Sequence, residues 1–304
     1  MKNKLLFNSF YKKFNSNLFN FNKKFICQGA YLQKDTNQVK LRGKFLKCRN
    51  PDMPTLVWLP EMLENVENFE KFFTDPDNKV LDYRNVWLLN PRNFGNSDHH
   101  HSLDMDEVVE DIRRFIDENQ LSIVTIGGHG YGAKIACAFG TTYLDRTSGV
   151  MCLEGGPVDI RYHNVWHEIK DVVNSAYNLS KTCNNTNEFL KKIDLHVKHP
   201  IWNKIIKANL IESSSGLSFN FNIDAVYKDV NRLNPRLAMF DSVFGLFPGR
   251  AFVQFASHSH HILLNTQTIP IYNFFPKLEG RFGTIDLNII QTDEDPSSKI
   301  FILN

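Results

Sequence analysis

Apolar residues in this chain gather into short unbroken runs, separated by longer stretches in which they recur every three or four positions. TLVWL (55–59), NVWLLN (85–90), LSIVTIGG (121–128) and GVMCLEGG (149–156) are four such runs. Runs of this length suit parallel strands buried on both faces. Between them, ENVENFEKFFTD places Val66, Phe69, Phe72 and Phe73 on one helical face, and MDEVVEDIRRFIDENQ does the same with Val108, Val109, Ile112, Phe115 and Ile116. The alternation predicts a doubly wound α/β domain with right-handed crossovers. QVKLRGKFLK (38–47) reads as an early edge strand, and GRAFVQFAS (249–257) and TIDLNIIQT (284–292) as returning strands. Residues 160–245 break the rhythm with helical stretches such as HNVWHEIKDVVNSAY and PIWNKIIKANLIE, which predicts a helical cap over the sheet.

Composition changes this picture at one end only. The 304 residues, 42% hydrophobic and 22% charged, are ordinary for a globular protein, and a net charge of +2 gives no argument for nucleic acid. Cys27, Cys48, Cys137, Cys152 and Cys183 lack the paired spacing of a disulfide scaffold or zinc site, and suit buried thiols in a reducing compartment. Residues 1–34 differ: they hold seven lysines and no Asp or Glu, with Phe7, Phe10, Phe14, Phe19, Phe21 and Phe25 interleaved. Such a basic aromatic arm is targeting-like, of the mitochondrial kind, or docks on protein subunits of a large complex, with peripheral contact to anionic lipid. Residues 35–304 form the α/β domain.

Three stretches carry a resemblance. TIGGHGYGAKIACAF (125–139) is a strand, a glycine turn and a helix start, similar to a nucleophile elbow. NPRNFGNSDHH (90–100) resembles the segment that follows the third strand in the same family, and PTLVWLPEMLEN (54–65) the strand leading to an oxyanion loop. Together they resemble the α/β-hydrolase superfamily, in particular small mitochondrial and bacterial esterases and epoxide-hydrolase-like proteins. The resemblance implies an α/β-hydrolase fold with a mostly parallel doubly wound sheet and a helical cap insertion.

The same stretches depart from that family where it does chemistry. Gly130 stands at the serine position, flanked by His129 and Tyr131, while the turn glycines Gly128 and Gly132 remain. Pro60 and Glu61 stand where the family has His-Gly, so one backbone donor is missing and a carboxylate is present. No histidine follows His261, and Glu154 as an alternative acid has no base to orient. These losses imply a catalytically degenerate fold: not an enzyme, with no catalytic, cofactor-binding or metal residues, no cofactor, and a role as accessory subunit of an inner-membrane respiratory assembly. The alternatives are a hydrolase or lyase with a non-serine mechanism and an accessory protein of the mitochondrial ribosome. For the first, a metal site from His99, His101, His258 and His260, or the neighbourhood of Asp98 and His99, are the candidates. A ligand pocket near Met62, Phe94 and Tyr131 is a further one.

Overall fold

The computed structural model describes residues 38–49, 51, 53–76, 78–240, 246–256, 274–275 and 285–290. The N-terminal arm and His258 and His260 lie outside them. The described residues from Val39 onward belong to one compact unit.

Seven strands of this unit form one sheet in the order β1-β3-β2-β4-β5-β8-β9. They are β1 (Arg42–Leu46), β2 (Thr55–Leu59), β3 (Val86–Asn90), β4 (Val124–His129), β5 (Thr147–Leu153), β8 (Arg250–Ala256) and β9 (Ile285–Ile290). Only β1 runs antiparallel, paired with β3 from Arg42↔Asn90 to Leu46↔Val86; the remaining pairings are parallel. β1 is mostly exposed while β2, β3 and β4 are almost wholly buried. That difference explains why β1 alternates in sequence and the others read as continuous apolar runs.

Along β2 the side chains divide between two layers, as the pleat requires. Leu56 and Trp58 pack with Phe69 and Phe73 of α1 (Glu67–Thr74) on one face, with the short α2 (Val80–Tyr83) beside them. Val57 and Leu59 face the larger core, with Ile112 and Ile116 of α3 (Met105–Glu118) and Ile135 and Phe139 of α4 (Tyr131–Thr142). Burying a Leu, Ile or Phe side chain contributes about 1.5–3 kcal/mol, so these faces dominate the stability of the sheet.

The cap lies between β5 and β8. It contains α5 (Asn164–Thr182), α6 (Thr186–His196), α7 (Pro200–Asn209), the hairpin β6 (Leu210–Ser213) and β7 (Gly216–Phe219), and α8 (Ile223–Val230). It is pinned to the loop after β3: Phe94 and Phe221 form a bridge, and Asn222 donates through its side-chain amide to the Asn93 side-chain oxygen (2.9 Å) and to the His100 carbonyl (3.2 Å). Among the described residues no helix is long and apolar enough to cross a membrane.

Candidate active site

The elbow forms where β4 turns into α4. Gly130 has φ +50° and ψ −107°, a conformation that side chains rarely adopt. Gly132 is held to glycine for a different reason: a Cβ there would collide with the Leu59 carbonyl at the end of β2. This close approach brings the loop after β2 against the turn, and that loop carries Glu61.

Glu61 is buried at 5% exposure, and its carboxylate occupies the space a side chain at position 130 would take. A Cβ built on Gly130 would fall on Glu61 Oε2. The other oxygen, Oε1, accepts hydrogen bonds from the backbone N–H of Met62 (2.5 Å) and of Tyr131 (2.9 Å). Two amides converging on one oxygen, one of them following the elbow position, is the geometry of an oxyanion hole. The expected loss of that hole is therefore corrected. Pro60 lacks an N–H, but the donor comes from Met62, two residues on. The carboxylate that was expected to repel an oxyanion is itself the group the donors hold.

Burial raises the Glu61 carboxyl above its ordinary range, against the pull of the His129 charge and the two N–H donors. His129, at the end of β4, lies with Nδ1 3.5 Å from Glu64 Oε2. Burial works against its protonation, but Glu64, with Glu61 and Glu154 behind it, outweighs burial and raises the imidazole to about 9. At neutral pH His129 is therefore a cation that balances the carboxylates.

Glu61, Gly130, Tyr131, Lys134 and Glu154 line one cavity with Met62, Val158, Ile160, Ile169 and Leu237. Its empty volume is about 390 Å³, including space open to solvent. The apolar wall comes from the cap and the loop after β5. Lys134, one turn into α4, is 4% exposed and donates to the carbonyls of Leu237 (2.9 Å) and Ala238 (2.8 Å). Burial lowers its pKa to about 8, against the attraction of Asp159, Glu61 and Asp229. The Tyr131 hydroxyl is buried and has no hydrogen-bond partner, and burial raises its pKa, so it stays a neutral donor.

The other sequence candidates stand elsewhere. Asp98 accepts from Lys40 N–H and Arg42, tying the loop after β3 to β1. His100 and His101 have ring centroids 4.0 Å apart, and burial lowers the pKa of His99. Among the described residues no group of His, Cys, Asp and Glu could hold a metal ion. Phe94 does pack near the elbow, 6.0 Å from the Tyr131 ring. Sequence reading passed over one serine beside the elbow strand: Ser148 on β5, whose hydroxyl lies 2.9 Å from that of Thr125 on β4. It sits near the start of the strand pair, about 16 Å along the strands from Gly130 at 3.3 Å per residue. The group at the elbow itself is Glu61, which the sequence placed in the oxyanion loop but not in the side-chain space of position 130.

Residues 54–178 match the family model described as the alpha/beta hydrolase fold. A probable alcohol acetyltransferase of Saccharomyces cerevisiae is 25% identical over 218 residues, 65% of this chain. The chain spans 62% of that relative's length. Among solved structures, a marine microorganism esterase superposes with a TM-score of 0.67 at 19% identity, covering 83% of this chain and 92% of its own. An esterase from Exiguobacterium antarcticum gives 0.57 at 13% identity, covering 82% and 87%. The similarity is to esterases, other hydrolases and a transferase, and this overturns the expected accessory subunit of a respiratory assembly. The expected non-enzyme falls too, since a buried carboxylate and two converging amide donors occupy the elbow, and Ser148 lies on the neighbouring strand. The chain has an α/β-hydrolase fold with esterase-like relatives, built from a central sheet and a helical cap.

Proposed function

We propose that the protein is a hydrolase of small carboxylic esters that works without a serine, with Glu61 as its nucleophile. One observation carries this reading: Glu61 Oε2 takes the place of the elbow side chain while Oε1 sits between the amides of Met62 and Tyr131. A carboxylate is an established class of covalent nucleophile. The raised pKa makes its ionised form more basic than an ordinary glutamate.

In the first step Oε2 attacks the acyl carbon and the bond to the alcohol oxygen breaks. An acyl-glutamyl anhydride forms, and the departing alkoxide takes a proton from water. The hydroxide so produced adds to the Glu61 carboxyl carbon. Negative charge then develops on Oε1, where the two N–H donors already point. Collapse releases the carboxylic acid and restores the glutamate. The esterases among the similar structures support the substrate class, and the largely apolar lining of the cavity by Met62, Val158, Ile160, Ile169 and Leu237 suits the acyl part of an ester.

Isotope labelling tests the reading directly. A single turnover of a short-chain ester in ¹⁸O-water should place ¹⁸O in the Glu61 carboxylate, read by mass spectrometry of the peptide that contains it. Glu61→Gln should abolish turnover. Label confined to the released acid, or undiminished turnover by Glu61→Gln, would sink the proposal.

A further inference from the structure

If Glu61 is the nucleophile, the amides of Met62 and Tyr131 are occupied by Oε1 when the substrate arrives, and the substrate's own carbonyl oxygen needs another donor. Two side chains of the same cavity offer one. Tyr131 and Lys134 stand three residues apart at the start of α4, so both project from one helical face. The Tyr131 hydroxyl is buried, at 4% residue exposure, with no acceptor. A buried donor left unsatisfied costs free energy, so a ligand oxygen that accepts from it gains that cost back. Lys134 is equally buried, and as an ammonium it has three N–H groups. Two are taken by the carbonyls of Leu237 and Ala238, and the third remains.

We propose that Tyr131 Oη and Lys134 Nζ form a second oxygen-binding pair, which receives the ester carbonyl oxygen as Glu61 attacks. The proposal rests on the ester-hydrolase reading and deepens it by assigning two further catalytic residues. The charged groups that act on the pair are Asp159, Asp229 and Glu61 on Lys134, and Asp229, Arg92, Glu61 and Asp104 on Tyr131. Loss of the Lys134 proton near pH 8 should therefore impose a falling basic limb on activity.

The test uses the full chain with short-chain esters. Tyr131→Phe removes one oxygen that has no hydrogen-bond partner and keeps the ring and backbone contacts, so folding should be preserved. It should lower kcat on the order of 10²-fold with little change in KM, the typical effect of losing one oxyanion donor. Lys134→Met should lower kcat comparably and abolish the basic limb near pH 8. Because its loss also frees two carbonyls, Lys134→Arg serves as the companion variant: it keeps the charge and should move the limb out of range. Tyr131→Phe with wild-type kcat, or a basic limb unmoved in both lysine variants, would overturn the pair while leaving Glu61 chemistry in place. Absence of any ester turnover in the wild-type chain would instead remove the parent reading, and the pair with it.

Discussion

Gly130 and Glu61 are two residues in one space, and each explains the other. Position 130 needs glycine for its positive φ and for the carboxylate that fills its side-chain volume. Gly130→Ser should therefore destabilise the fold and displace Glu61. In a Glu61→Gly background the same change should cost less, because the carboxylate is gone. Thermal unfolding of the four proteins should give a favourable coupling of about 1–3 kcal/mol; simple additivity would show that the two side chains do not compete. His129 carries a second residue-scale prediction. Its folded pKa of about 9 lies above the ordinary 6.5, so the native state binds more protons between those values. Its stabilisation is complete below pH 6.5 and is lost as pH rises through 9. Glu61, also raised, acts in the same direction from pH 4.5 upward. Lys134, lowered to about 8, has the opposite sign between 8 and 10.5. Denaturant unfolding should show stability falling from pH 6.5 to 8 by on the order of 1 kcal/mol per unit, levelling off above 8 where Lys134 opposes it, with a flatter profile in His129→Gln.

At the scale of elements, the sequence showed most where burial was strongest. β2, β3, β4 and β5 are legible as apolar runs because both of their faces are covered. The helices α1 and α3 are legible because only one face is. The hairpin of β6 and β7 is not, since LIESSSGLSF is largely exposed and carries no apolar period; the helical reading continued through it to Glu212. β4 begins at Val124 rather than at Leu121, because Ser122 and Ile123 are exposed ahead of the sheet. The elbow turn was legible from its glycines. The carboxylate of Glu61 was legible as part of the oxyanion loop, but its seat in the elbow was not, because Glu61 lies about 70 positions earlier and only the close approach of β2 and α4 puts it in the side-chain space of Gly130. The loop after β3 shows the same kind of long-range dependence. Arg92, 1% exposed, pairs with Asp111 (2.5 Å) and Glu107 of α3. Arg92→Met should leave Asp111 buried with only Arg114 as its ionic partner, at a cost of about 3–5 kcal/mol. Adding Asp111→Leu should recover much of it. A double variant no more stable than Arg92→Met alone, measured by denaturant unfolding, would contradict this.

At the scale of the whole molecule, the arm and the unit that holds the Glu61 cavity can be tested apart. Glu61, the amide donors, the cavity and the cap all belong to the unit that begins at Val39. The strand nearest the arm in sequence, β1, is fixed from its own side. It pairs with β3 along five residues, and Lys40 and Arg42 donate backbone N–H groups to Asp98 and Ser97. Those bonds need nothing from residues before Lys40. A chain beginning at Tyr31 should therefore keep the melting temperature of the full chain to within about 2 °C, which corresponds to no more than about 1 kcal/mol at the 2–4 °C per kcal/mol typical of domains of 150–250 residues. It should also keep ester turnover per molecule. Differential scanning calorimetry and a short-chain ester assay on both chains provide the comparison. A large fall in melting temperature would mean that the arm completes the core of that unit. Unchanged melting with lost turnover would mean that it reaches the Glu61 cavity.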